Sequence, residues 1–227
     1  MAKLSKMNIF VSDEEASLFA NLVDIEANKI DYVNNGVDTE YFANTECFNS
    51  PFINSEKIIV FTGAMDYWAN VDAVVWFVKE VFPKIKQQCK FAQFFIVGSK
   101  PCKEVLDLAA VEGVYVTGSV KDIRPYLFYA QLVVAPLRIA RGIQNKVLEA
   151  MAMGKRIVAT PQAIEGISVG EQELCVTEQP ADFAQYVLTY LADISGQHYV
   201  QKNRNFVAEN YSWGVSHQRL TRIIDCE

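Results

Sequence analysis

LVVAPLRIARGIQNKVLEAMAMGKRIVAT, Leu132 to Thr160, decides the fold, because it reads as strand, cationic loop, helix and strand in one short stretch. Leu132 to Ala135 is an apolar run suited to a strand buried on both faces of a parallel sheet. Pro136 ends it. From about Ile143 the pattern turns helical, with Val147, Leu148, Met151 and Ala152 on one apolar face. Gly154 stands where a helix C-terminus takes a residue free to adopt positive φ, and Arg156 to Ala159 is the next strand. The unit is a right-handed βαβ crossover whose loop lies at the carboxyl edge of the sheet. A loop there, opening a helix, is an anion site. Backbone N–H groups of Gly142, Ile143, Gln144 and Asn145 join the positive end of the helix dipole, and Arg138, Arg141 and Lys146 add cationic side chains. Glu149 is the odd residue, since a carboxylate in a helix this apolar is costly unless something polar meets it. Two readings stand: it accepts hydrogen bonds from ribose hydroxyls, one turn in from the phosphate end, or it pairs with Lys146 on a wet face for roughly a few tenths of a kcal/mol.

Outward from that stretch, strands are expected at Ile58 to Phe61, Phe94 to Val97, Val114 to Thr117 and Leu174 to Val176. Helical stretches separate them near 70 to 88, 101 to 111, 123 to 130 and 143 to 153, with a loop around 162 to 171. Strands alternating with helices predict an open, doubly wound, mostly parallel Rossmann-like α/β sheet. Gly63, Gly98, Gly118, Gly142 and Gly166 each follow a strand at the carboxyl edge, where ligands of such sheets bind. Any one of them is explained by a tight turn; the shared edge is what points to a site. The last third is helical over Ala181 to Leu191, His198 to Glu209 and Trp213 to Ile224. Ahead of the sheet, Asn8 to Val11, a helix opened by a Ser12/Glu15 capping box, and Lys29 to Val33 form a small βαβ unit. Leu18, Phe19, Leu22 and Val23 give its helix an apolar face. Two strands and one helix cannot bury a core alone, so this unit belongs to something larger. Asn44 to Ser55 is polar and reads as a loop.

At 227 residues with 51% apolar composition, the chain supplies one large domain or a domain and a piece. The net charge of -6 argues against a nucleic-acid surface. No apolar run approaches the ~20 residues of a membrane helix, and the start lacks the apolar core of a signal peptide. The expected place is the cytoplasm, with membrane contact at most peripheral on the inner face. Cys47, Cys89, Cys102, Cys175 and Cys226 are odd in number and scattered, which suggests neither a disulfide framework nor a zinc site.

IARGIQNKVLEAMAMGK resembles the signature helix of the GT-B glycosyltransferases of the large group 1 class, and is especially similar to sugar transferases associated with bacterial exopolysaccharide export. In that class two acidic residues eight positions apart flank the donor site. The second matches Glu149, which the resemblance assigns to the nucleotide ribose. The first falls on Arg141, a departure that moves this position toward binding diphosphate or an acidic group. VNNGVDTEYF, Val33 to Phe42, is similar to the family's interdomain crossing. The resemblance therefore implies that residues 1–36 are a remnant of an acceptor domain, 37–56 a linker, and 57–227 the donor-binding domain with its closing helices. YSW at 211–213 resembles the motif before the final helix, which in two-domain members packs back toward the first domain.

Relatives often carry an Arg and a Lys downstream of the glycine matching Gly63; here Met65, Asp66 and Asn70 occupy that neighbourhood, and the cations fall to Arg138, Arg141 and Lys146. Gly113 to Leu137 matches the segment that passes under the nucleotide base, with Gly118, Ser119 and Val120 placed to bond a base edge. Arg124 either reaches the ligand or pairs with Asp122, and Pro125 opens the helix there. Tyr67 and Trp68 are interdomain packing or an acceptor platform, Trp76 and Phe77 are core, and Glu165 is a sugar contact or a solvated charge. His198 and His217 read as surface or packing residues.

Glycosyl transfer leaves a nucleoside diphosphate, so negative charge grows on phosphate oxygens, and preorganised donors are the largest available help. No Asp-x-Asp pair occurs in the sequence, which implies metal-independent transfer with Lys146 and Arg141 in the ion's role. No cofactor is expected beyond the nucleotide sugar; retention is implied by the family. Two functions are carried forward. One is the donor half of a hexosyltransferase-like enzyme acting on a polysaccharide or glycolipid acceptor and needing an acceptor domain, a partner chain or a homodimer. The other is a non-catalytic nucleotide-sugar module. A sugar-nucleotide epimerase of the same fold is disfavoured by the signature helix.

Overall fold

The computed structural model describes residues 5–43, 48–53, 57–168, 170, 174–193 and 200–225. Cys47, Cys226, His198 and parts of the loops expected over 44–55 and 162–171 lie outside them. Two sheets form. In the small one, β1 (Asn8–Phe10) and β2 (Ile30–Tyr32) pair in parallel around α1 (Asp13–Leu22). The Ser12 hydroxyl accepts from the Glu15 N–H at 3.2 Å, closing the N-cap half of the expected capping box. The Phe10 and Phe19 rings meet at 4.8 Å, while Ile9, Val11, Leu18 and Leu22 are exposed.

The large sheet holds six strands: β3 (Ile58–Thr62), β4 (Gln93–Val97), β5 (Val114–Gly118), β6 (Leu132–Ala135), β7 (Arg156–Ala159) and β8 (Leu174–Val176). All pair in parallel, in the order β5-β4-β3-β6-β7-β8. The chain starts in the middle at β3, winds outward to β5, returns to β6 beside β3, and winds outward again to β8. This is the doubly wound order expected from the sequence, and its switch point lies between β3 and β6. Every residue of β3 and β6 is buried, as strands covered on both faces must be.

Between β3 and β4 the sequence predicts one helix. The structure gives α2 (Trp68–Trp76) and α3 (Phe82–Gln88) joined by a wide π turn over Phe77–Val81. Pro83 has no N–H to offer the preceding turn, and the widened turn takes up the mismatch. Around it Phe77 packs on Phe94 at 4.5 Å and on Phe183 at 5.8 Å, all three fully buried. The remaining connections are α4 (Lys103–Asp107), continued by a 3-10 turn, then α5 (Arg124–Tyr129) and α6 (Asn145–Ala152). Gly154 has φ 65°, the left-handed helix stop that the sequence predicts.

After β8 come α7 (Pro180–Ala192), α8 (Gln201–Asn210) and α9 (Trp213–Asp225). The α9 helix returns to the small sheet. Arg219 donates to the Tyr32 carbonyl and pairs with Asp31 at 2.7 Å, and the Ser216 hydroxyl donates to the Asn34 carbonyl at 2.7 Å. The Val37 N–H donates to the Tyr211 carbonyl at 2.8 Å. The chain's two ends are thus clipped together where the 33–42 crossing runs between them.

At the amino edge of β7, Lys155 is only 4% exposed. Its ammonium donates to the Phe128 carbonyl and, at 2.9 Å, to the Ala130 carbonyl, tying down the end of α5. Burial pushes its pKa from 10.5 down to about 7. Between about pH 7 and pH 10.5 the unfolded chain holds a proton that the folded one lacks, so this residue makes stability rise with pH through that window. Lys155→Met is expected to flatten that rise. Urea midpoints at neutral and alkaline pH check it, and a variant as steep as the parent would assign the slope to other groups. Phe77→Ala is expected to cost about 3–5 kcal/mol, read as a lower urea midpoint at unchanged m-value; a loss well under 1 kcal/mol would mean that the aromatic cluster does not carry the core.

Candidate functional site

β3 and β6 diverge at the switch point, and a cavity of about 660 Å³ opens above their carboxyl ends. Its floor is Thr62, Gly63 and Ala64, leaving β3, with Val97, Gly98 and Ser99 leaving β4. These two strand ends touch through their backbones. The Gly63 N–H donates to the Val97 carbonyl at 3.1 Å and the Met65 N–H to the Ser99 carbonyl at 2.7 Å. A Cβ on Gly98 would stand 1.6 Å from the Gly63 carbonyl oxygen, so only glycine permits the approach.

One wall is the start of α6. Ile143, Gln144, Asn145, Lys146 and Glu149 line it, and no side chain caps the first turn. Instead the Gln144 amide donates to the Arg141 and Gly142 carbonyls at 3.2 and 3.1 Å, which stiffens the loop behind that turn. An uncapped helix start opening on a cavity is the anion-binding arrangement expected from the sequence.

Lys146 reaches across this wall to the floor. Its ammonium donates to the Asn70 side-chain carbonyl and lies 4.5 Å from the centroid of the Phe61 ring. Asn70 is buried in the first turn of α2, and its amide donates to the Ala64 carbonyl at 2.9 Å, so it bridges the β3 loop and the lysine. Burial pushes the Lys146 pKa down from 10.5 to about 8, with the charge of Glu149 working the other way. Burial likewise raises the Glu149 pKa, offset in part by Lys146. The ammonium turns to Asn70 rather than to Glu149, and both ionisable groups line the cavity. The wet-face pairing weighed from the sequence does not form.

The opposite wall holds Ser119, Val120 and Ile123, with Asn35 and Tyr67 at the rim. Gly118 sits behind this wall at φ 68°, and Gly142 behind the other at φ 64°. Neither lines the cavity. Arg138 and Arg141 do not line it either. Asp72 on α2 holds the Arg138 guanidinium in a two-pronged ion pair at the exposed surface, and Arg141 projects to solvent. Arg124 takes its structural reading, pairing with Asp122 at 2.8 Å and lying 4.0 Å over the Tyr41 ring. Tyr67 and Trp68 are exposed; Trp76 packs edge-on to Phe183, and Phe77 is core. Glu165 lies outside the cavity lining, and among the described residues no cluster of three His, Cys, Asp or Glu side chains is placed to hold a metal ion.

Sequence reasoning missed Asn70 as the partner of Lys146, although it noted Asn70 where relatives carry a cation. It also missed Thr62, whose buried hydroxyl has no partner among the described residues and lies in the cavity floor. The acidic first turn of α1 lies against the loops beside the site: Glu15 Oε1 lies 3.2 Å from where a Cβ on Gly142 would stand, and Glu14 Oε2 3.2 Å from that point on Gly166.

Several solved structures share this architecture. S. aureus TarM superposes with a TM-score of 0.75 at 18% identity, covering 98% of this chain and 44% of that one. Anabaena Alr3699/HepE, solved with UDP and glucose, gives 0.75 at 13% identity over 97% of this chain and 63% of that one. A glycosyltransferase from Rickettsia africae ESF-5 gives 0.72 at 17% identity over 96% and 62%. The chain thus spans about half to two thirds of the length of these structures, and likeness at such identities speaks to the fold. No curated protein sequence matches the chain. The family model described as glycosyl transferases group 1 matches residues 56–193, from the residue before Lys57 through β8 and α7. With well over half of its length inside that match, the chain belongs to the group 1 glycosyl transferases.

Proposed function

We propose that this chain is the donor half of a glycosyltransferase, binding a nucleoside diphosphate sugar in the cavity above β3 and β6 without a metal ion. The observation that carries the reading is Lys146. A half-buried ammonium with no carboxylate in contact, facing a cavity at an uncapped helix start, is short of an anion. A diphosphate supplies one. In this reading Lys146 and the first-turn N–H groups of α6 hold the phosphates, and the exposed Arg141, in the loop leading into α6, adds positive charge nearby. Glu149, one turn further along, accepts the ribose hydroxyls. The 118–120 backbone borders the base, and Gly63 lets the lysine reach the floor. Arg138, already satisfied by Asp72, steadies α2 rather than the ligand.

The chemistry follows from the charge. As the bond from the sugar anomeric carbon to the phosphate oxygen breaks, the electron pair leaves with the nucleoside diphosphate, where Lys146 and the helix start stabilise it. The acceptor oxygen forms the new bond and gives up its proton. The group that takes this proton belongs to an acceptor domain, of which residues 1–36 are the last strand-helix-strand, 37–56 being the linker. The acceptor is a polysaccharide or glycolipid, and the outcome is retention. UDP is the first nucleotide to try, since HepE has been solved with UDP-glucose.

Calorimetric titration with UDP tests this. Binding is expected in the presence of a chelator, and Lys146→Met should weaken it roughly tenfold to a hundredfold, the worth of a charge-assisted hydrogen bond. Glu149→Gln should weaken UDP but leave inorganic pyrophosphate unchanged; equal losses for both would remove the ribose assignment. Because the lysine loses its proton as pH passes about 8, affinity should fall above that pH, with proton uptake on binding near it. Lys146→Met should abolish this dependence, and a variant that retained it would place the titrating group elsewhere.

A further inference from the structure

The chain carries two long acid-free cationic stretches. One, 123–148, contributes Lys146 to the cavity just described. The other, 81–103, carries Lys84, Lys86 and Lys90 on and just beyond α3, in a chain of net charge -6. These lysines lie at the amino edge of the sheet, opposite the nucleotide cavity. There Lys86 and Lys90 meet Lys57, which leads into β3, around a second cavity of about 630 Å³. Phe91 rises from its rim at 84% exposure beside Lys90, and Ile53 and Tyr115 are exposed on the same rim. Lys86 pairs with Glu112 at 3.2 Å, Lys57 donates to the Leu191 carbonyl and Lys84 to the Glu80 carbonyl, so all three stay close to the surface they leave. Lys90 is exposed.

We propose that this corner docks on an anionic lipid bilayer, with Phe91 and Ile53 entering the boundary between headgroups and acyl chains and the lysines meeting the lipid phosphates. A small anion would answer the lysines and leave two large apolar side chains in water. A bilayer answers both. Among the described residues no helix is long and apolar enough to cross a membrane, so the contact is peripheral. Docked this way, the nucleotide cavity faces away from the lipid, open to a soluble donor.

Sedimentation with vesicles tests the proposal. The full chain is expected to pellet with vesicles of phosphatidylcholine containing one-third phosphatidylglycerol, and not with pure phosphatidylcholine, and to be released by high salt. The double change Lys86→Glu with Lys90→Glu should lower partitioning at least about tenfold. Phe91→Ser should lower it severalfold while keeping its salt dependence. UDP binding should be the same in all three, which shows that the variants are folded. Equal pelleting with neutral vesicles, no effect of charge reversal, or capture of a soluble anionic polysaccharide without vesicle binding would each overturn it.

Discussion

A half-buried ammonium with a neutral hydrogen-bond partner ties together the parts of the site. Lys146 is partly withdrawn from water, between the Phe61 ring and the Asn70 amide, and a charge so placed is costly without compensation. Asn70 supplies a dipole, not a charge. To reach it, the lysine must pass over the end of β3 at a residue without a side chain, and Gly63 is that residue: a Cβ there would stand 2.7 Å from the Asn70 amide nitrogen and 3.2 Å from the lysine nitrogen. Gly98 must be bare as well, because the β4 end lies on the backbone of Gly63. The two strand ends, the first turn of α2 and the first turn of α6 are therefore placed by one another, and the cavity is the space left between them.

The sheet explains why these parts meet. With β3 in the centre and the chain winding away on both sides, the loops after β3 and β6 are the pair that no helix separates at the carboxyl edge. The remainder of the chain braces this edge from outside. Arg219 and Ser216 of α9, with the Tyr211 carbonyl just before it, hold the 31–37 segment, which brings Asn35 to the rim and the acidic turn of α1 beside Gly142 and Gly166. An acidic turn at that place repels a second anion approaching from the side of the small unit, while the floor attracts one. The electric field between them thus points from the ammonium to the carboxylates, and it drives an anionic group toward Lys146.

How much of this was legible in the sequence depended on the range of the interaction involved. The strands β6, β7 and β8 fall on the residues expected, because a short apolar run bounded by Pro or Gly leaves little choice of register. The parts of the proposed anion site at α6 were legible for the same reason: loop, helix start and cations are neighbours in the chain. The wide turn at Phe77–Val81 was less so, since the apolar spacing continues through it and only Pro83 marks the break. What could not be read was which cation lines the cavity. Arg138, Arg141 and Lys146 look alike in the sequence, and the choice among them is made by residues far away: Asp72, 66 positions before Arg138, and Asn70, 76 positions before Lys146.

The same limit separates Lys155 from Lys146, which no local pattern distinguishes. Lys155 and Lys146 both lie beside the sheet with depressed pKa values, and neither pairs directly with a carboxylate among the described residues. Lys155 faces two backbone carbonyls at the closed end of α5 and lines none of the described cavities. Its hydrogen bonds are spent on the fold, and a ligand has nowhere to stand. Lys146 has one amide oxygen, an aromatic face and an opening lined by an uncapped helix start. A lysine ammonium carries three donors, and among the described residues only one of those of Lys146 is answered. What separates the structural lysine from the one proposed to meet a ligand is therefore a count of unanswered donors together with a space in which an acceptor fits. That count exists only once the strands are paired, which is why the sequence leads to the neighbourhood of the site and the fold selects the residue.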